Sequence, residues 1–204
     1  MTRPTERDVI DAVNGLPDPR PLALVLSAGG NPNSKVGGRT ALDHAVALGY
    51  EAKVRLLLSH GADPNLHEDP DLLNGGRFTT PLIDATRNDS RLGIMKELLA
   101  AGANANQRDN LGMTALMCAA LFGAQRSLQL LLESGAAATL ETDDGQTALH
   151  FAMTRDSPEI VRCLIRLGLD PAKPSARGGP SPMQLAQKRN LRETLLLLSK
   201  LGVA

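Results

Sequence analysis

Four histidines and two cysteines are the side chains of this 204-residue chain best suited to proton transfer, nucleophilic attack or metal binding. They are His44, His60, His67 and His150, with Cys118 and Cys163. Covalent catalysis needs a base beside the nucleophile and a third group to orient that base. The chain has no Gly-x-Ser-x-Gly elbow, no Gly-x-x-x-x-Gly-Lys phosphate loop and no paired-histidine helix motif. Its glycine pairs, at 29–30, 37–38, 75–76 and 178–179, read as turns. The densest run of possible metal ligands is His67, Glu68, Asp69 and Asp71. Its spacing matches neither the common zinc arrangements nor the twelve-residue calcium loop. No catalytic residue, metal or cofactor is therefore expected. The two cysteines are expected to serve as small core hydrophobes, too few for a disulfide scaffold.

A chain without a reaction centre acts through a surface, and the elements that would hold one recur. Thr40-Ala41-Leu42, Thr80-Pro81-Leu82, Thr114-Ala115-Leu116, Thr147-Ala148-Leu149 and Ser181-Pro182-Met183 begin 40, 34, 33 and 34 residues apart. Each is followed at one offset by alanine: Ala45, Ala85, Ala119, Ala152 and Ala186. Such a period marks a stack of small units. The Thr or Ser caps a first helix, and a proline after it sits where a missing N–H costs little. A short turn leads to a second helix with a buried stripe, as in Ile160, Val161 and Leu164. A glycine then stops it. The stops at Gly29, Gly61, Gly102, Gly135, Gly168 and Gly202 outnumber the starts by one, so six helix pairs are expected. The first, from about Thr5 to Ala28, lacks the Thr-x-Leu opening and has the polar front of an end unit in Glu6, Arg7, Asp8 and Asp11.

Thr147-Ala148-Leu149-His150-Phe151-Ala152 and Gly61-Ala62-Asp63-Pro64-Asn65 resemble the ankyrin repeat, with its Thr-Pro-Leu-His-x-Ala opening and Gly-Ala-Asp-x-Asn close. The resemblance implies an all-α solenoid: one domain over 1–204, built from units at 5–36, 37–69, 70–109, 110–142, 143–176 and 177–204. In the family the signature histidine ties neighbouring units together. Here it survives at His150, with Asp43, Ile83, Met117 and Gln184 in the aligned places, so stability is expected to rest more on apolar packing.

Composition narrows the function. With 22 basic and 22 acidic residues the chain has no basic excess, which argues against a nucleic-acid partner. No apolar stretch is long enough to span a membrane. The polar start, Met1 to Asp8, does not look like a signal peptide, so a cytoplasmic protein is expected. With three Phe, one Tyr and no Trp, the core must be aliphatic.

In an ankyrin-like stack the contact surface is the finger turns plus the ends of the first helices. Those positions carry Leu72, Phe78, Arg87, Leu111, Met113, Leu121, Phe122, Asp143, Asp144 and Arg155, the candidate protein-binding residues. Leu111, Met113, Leu121 and Phe122 are apolar where solvent favours polarity, as at an interface centre. The alternative is that Leu121 and Phe122 tuck against a neighbouring unit. The long loop 66–79 reads as a tolerated insertion or a binding finger, and its acidic base with Leu72, Leu73 and Phe78 beyond favours binding. The outward position of the second helices carries Arg55, Lys96, Gln129 and Arg162, but Leu196 in the last unit. A monomer is expected, with association through Leu196 as the alternative. The expected function is non-enzymatic binding of a partner protein, as an inhibitor or immunity protein. Adaptor and host-acting bacterial effector are the alternatives, and an enzyme or small-ligand binder with the long loop as a lid ranks last.

Overall fold

The computed structural model describes residues 3–66, 79–87 and 89–203. Among them are twelve helices and one two-stranded hairpin. The helices are α1 (Glu6–Asn14), α2 (Arg20–Ser27), α3 (Ala41–Leu48), α4 (Glu51–Ser59), α5 (Pro81–Ala85), α6 (Leu92–Ala100), α7 (Ala115–Phe122), α8 (Gln125–Glu133), α9 (Ala148–Ala152), α10 (Pro158–Arg166), α11 (Pro182–Arg189) and α12 (Arg192–Lys200). The expected all-α class holds.

Local chemistry explains the helix ends. Thr5, Thr40, Thr114 and Ser181 each accept the N–H three residues on, and so does Thr80, from Ile83 at 3.2 Å. In four units the residue three past the cap also reaches back to the cap's own N–H. Asp8 does so for Thr5, Asp43 for Thr40, His150 for Thr147 and Gln184 for Ser181. The first helix, without the repeated opening, thus has the same box. The local half of the histidine's work passes to Asp43 and Gln184. All six stop glycines lie at φ between 72° and 91°, the left-handed region glycine enters without penalty.

The described residues form two compact units: Met1–Ala85 with Ser90–Asn110, and Thr86–Asp89 with Leu111–Ala204. In the first, α1 packs on α3, α3 on α5, and α4 on α6, so like helices stack on like. Val9, Leu22, Leu42, Leu57, Met95 and Leu98 are fully or almost fully buried there, each contributing about 1.5–3 kcal/mol. Polar ties cross between repeats. The Asn33 amide donates to the Gly61 carbonyl at 3.3 Å, and its oxygen accepts the Asp63 N–H at 2.8 Å. Asn65 repeats the pattern with Gly102 and Asn104, at 3.0 and 2.7 Å. Arg91 donates to the carbonyls of Ala47 and Asp84.

Lys53, in the buried stripe of α4, has no exposed surface. Its ammonium donates to the Ala12 and Val13 carbonyls at 2.9 and 2.8 Å and lies 4.9 Å from the centre of the Tyr50 ring. Those carbonyls belong to the last turn of α1, which lacks donors of its own. Burial pulls the Lys53 pKa below its ordinary value, and the charge of Asp18 pulls it back up.

In the second unit, α7 packs on α9, α8 on α10, α9 on α11 and α10 on α12. Leu116, Leu128, Leu149, Val161, Leu164 and Leu198 lie in its core. Cys118 is buried and Cys163 half-buried, both as free thiols. The third residue of the second helix again meets a polar group. Asp89 accepts from the backbone of Arg126 and from the N–H and hydroxyl of Ser127. Asp156 does the same for Glu193 and Thr194, at 2.8–3.1 Å. Burial opposes charge on Asp156, but the donors from Thr194 and Glu193 outweigh it and hold its pKa below the ordinary carboxylate value.

Candidate functional site

Three of the sequence's candidate places, Leu72, Phe78 and the His67–Asp71 cluster, lie outside the described residues. Those described, Arg87, Leu111, Met113, Leu121, Phe122, Asp143, Asp144 and Arg155, all fall in the second unit.

The finger turns are built by short-range rules. Lys35–Val36 (β1) pairs antiparallel with Arg39–Thr40 (β2), in the register Lys35↔Thr40 and Val36↔Arg39. Gly37 and Gly38, at φ 61° and 84°, close the two-residue turn. That turn needs two left-handed residues, and its tip leaves Val36 exposed. In the second unit, the turn before α9 is closed by Gly145 N–H to the Thr142 carbonyl at 2.8 Å and Thr142 N–H to the Gln146 carbonyl at 2.9 Å. It holds Asp143 and Asp144 out in solvent. The turn before α7 presents Leu111, 51% exposed.

Met113 corrects one expectation: it is only 5% exposed and belongs to the core. It stands just before the cap Thr114, a place from which apolar side chains pack down on the first helical turn. Leu121 and Phe122 are half-buried, so each both packs and shows part of its surface. The Thr154 hydroxyl donates to the Leu121 carbonyl at 2.9 Å, bringing together the ends of α7 and α9. Arg155, exposed, lies over Gly123, where an added Cβ would come within 3.2 Å of the arginine's Cδ. Thr154 and Arg155 thus stand beside the end of α7, at the Leu121 carbonyl and at Gly123, while Leu111 and the Asp143–Asp144 pair sit on two finger turns of the same unit. Arg87 is exposed.

Sequence reasoning did not select Val36, an apolar residue beside a Gly-Gly turn. With Leu48, 44% exposed at the end of α3, it gives the first unit the same pairing of finger tip and helix end that Leu111 and Phe122 give the second. Lys53, Asp89 and Asp156 also went unselected. Their signal was a polar residue, Lys53, Ser127 or Thr194, interrupting an otherwise apolar stripe.

Both histidines that follow a cap have their pKa pushed below the ordinary histidine value. His44 is shifted down by burial first and then by Arg39, against a backbone hydrogen bond with Val36. His150 is shifted down mainly by burial, with Glu141 pulling up and Lys173 down. Among the described residues no group of three or more His, Cys, Asp or Glu could hold a metal ion, and no helix is long and apolar enough to cross a membrane.

Comparison with known proteins agrees with this architecture. A profile described as ankyrin repeats (3 copies) matches residues 66–141 and again 126–203, and a single ankyrin repeat matches 37–69. The B-cell lymphoma 3 protein homolog of Mus musculus is 34% identical over 149 residues, 73% of this chain and 31% of that protein. A putative ankyrin repeat protein of Acanthamoeba polyphaga mimivirus is 31% identical over 74% of the chain and 37% of its own length. An L-asparaginase of Dirofilaria immitis is 28% identical over 80% of the chain but 26% of that protein. The chain therefore spans between about a quarter and two-fifths of these relatives.

Proposed function

Because this chain belongs to the ankyrin-repeat family, whose repeats are protein–protein interaction modules, we propose that it holds a partner protein on its finger tips and the ends of its first helices. One observation supports this above others. Exposed or half-exposed apolar side chains recur at those places in each unit: Val36 and Leu48 in the first, Leu111, Leu121 and Phe122 in the second. Burying such anchors while polar neighbours rim them is how interfaces gain most of their free energy. Asp143, Asp144 and Arg155 supply the rim in the second unit and favour a partner with charges of both signs. The module acts by covering its partner, as a cytoplasmic inhibitor does.

Photo-crosslinking residues placed at Leu111 and Arg155, with controls at Gln129 and Arg162 on the second helices, test the surface. Crosslinks to one partner from the first pair and not the controls are expected. Crosslinks from the controls alone would put the interface on the second helices and end this reading.

A further inference from the structure

We propose that the partner meets the second unit with an acidic segment, one apolar residue followed by carboxylates spaced to match a row of cations at the ends of the first helices. The inference rests on the finger-tip and helix-end surface proposed above and adds the chemistry of what lies on it. Seven and eight positions past the caps Thr114, Thr147 and Ser181 stand Leu121 and Phe122, then Thr154 and Arg155, then Lys188 and Arg189. All six belong to the second unit. Arg155, Lys188 and Arg189 are exposed, and Leu121 and Phe122 are half-buried.

Contacts between repeats put these places side by side. The Thr154 hydroxyl donates to the Leu121 carbonyl at 2.9 Å, which joins the first place to the second. Asp156, next after Arg155, accepts the N–H groups of Glu193 and Thr194 at the start of α12. That helix begins three residues after Arg189, so the second place adjoins the third. The helices behind them pack in the same order, α7 on α9 and α9 on α11. Helices in such contact lie about 8–10 Å apart. The row therefore reads apolar, cationic, cationic, in steps of about 8–10 Å.

Charge complementarity selects the occupant. The chain as a whole has a net charge of +0, yet residues 120–122, 153–155 and 187–189 include no acidic side chain. The next carboxylate, that of Asp156, is spent on α12. On the second helices Arg55 is matched within the chain by Glu51 and Glu97, at 3.1 and 2.8 Å. Among the described residues, Arg155, Lys188 and Arg189 have no ion pair. Helix ends favour cations, but α3 and α7 end with no basic residue in the last turn, so the fold does not require them. Asp143 and Asp144, on the finger turn that opens the Arg155 repeat, oppose a continuous polyanion such as a nucleic acid. Isolated carboxylates of a protein fit both features. An extended chain advances about 3.3 Å per residue, so about three residues cover one step of the row. The matching segment is apolar-x-x-Glu-x-x-Glu, its apolar side chain against Leu121 and Phe122 and its carboxylates on Arg155 and on Lys188 with Arg189.

The test titrates ¹⁵N-labelled protein with the blocked peptide Ser-Leu-Ser-Ser-Glu-Ser-Ser-Glu-Ser and follows amide shifts by NMR. Saturable shifts are expected at Phe122, Arg155 and Arg189, with a Kd on the order of 1 mM for so short a ligand. A peptide with glutamine for both glutamates should bind about fivefold more weakly, as should one with serine for leucine. Added salt should weaken the parent peptide. Arg155→Gln with Arg189→Gln should lower affinity about fivefold at an unchanged melting temperature, and Arg155→Lys with Arg189→Lys should restore most of it. Equal binding of the glutamine peptide, shifts centred on the second helices, or no saturation by about 10 mM would each overturn the proposal. So would a short thymidine oligonucleotide that binds the row more tightly than the peptide does. If Leu111 and Arg155 crosslink to the partner while the peptide fails, the surface stands and the acidic chemistry falls. Crosslinks from Gln129 and Arg162 alone would remove the surface itself.

Discussion

Replacing Lys53 with methionine removes an ammonium while keeping most of the stem that fills the core. The side chain is wholly buried and donates two hydrogen bonds of 2.8–2.9 Å to the last-turn carbonyls of α1. Charge-assisted bonds contribute about 1.5–3 kcal/mol each, and the contact with Tyr50 adds about 0.5–1 kcal/mol. Against this, methionine no longer requires an ammonium to be stripped of water, a penalty of several kcal/mol. The two carbonyls, however, remain buried without donors. The net expectation for Lys53→Met is a loss of about 2–4 kcal/mol. For a chain of this size that lowers the melting temperature by roughly 6–12 °C. Thermal and urea unfolding followed by circular dichroism measure it, with Tyr50→Leu as a control that removes only the ring contact. A Lys53→Met protein within about 0.5 kcal/mol of the parent would refute the reasoning, because it would mean that desolvation cancels everything the lysine ties together.

Asp156→Ala should destabilise α12 by about 1–2 kcal/mol through loss of its cap, read as faster amide exchange at Glu193 and Thr194; Asp89→Ala should do the same at Arg126 and Ser127. Since the pKa of Asp156 is held low in the fold, its contribution is complete above the ordinary carboxylate value and fades as pH falls through the folded value. Met113→Ala should cost about 2–3 kcal/mol in urea titration as a core truncation, whereas Leu111→Ser should alter stability by less than about 0.5 kcal/mol and weaken partner binding. His44 and His150 have folded pKa values below the ordinary 6.5, so the unfolded chain binds more protons in the window beneath it. Stability should therefore decline as pH falls below 6.5. The double variant His44→Gln with His150→Gln should flatten that decline, and at His150 the box should survive, since Gln184 shows that glutamine completes it; an unchanged pH profile would assign the loss to other groups.

The helix pairs, their caps and their stops were all legible in the chain, because each depends on residues within a few positions of one another. A threonine hydroxyl reaches the N–H three residues on, and a glycine turns left-handed, whatever lies beyond the unit. Contacts between repeats were not legible. Lys53 looks like an ordinary charged residue until α1 brings two unpaired carbonyls to it across some forty positions of chain. Asp89 and Asp156 read as turn residues until the next second helix offers its N-terminus. Met113 and Leu111 show the same division within a single turn: both are apolar and both flank Gly112, yet one is buried and the other exposed. Side-chain type set which residues had to find a partner or leave water. Only the stacking of one repeat on the next decided where each did so, because the partner atoms come from distant chain and their geometry exists only once the layers have packed.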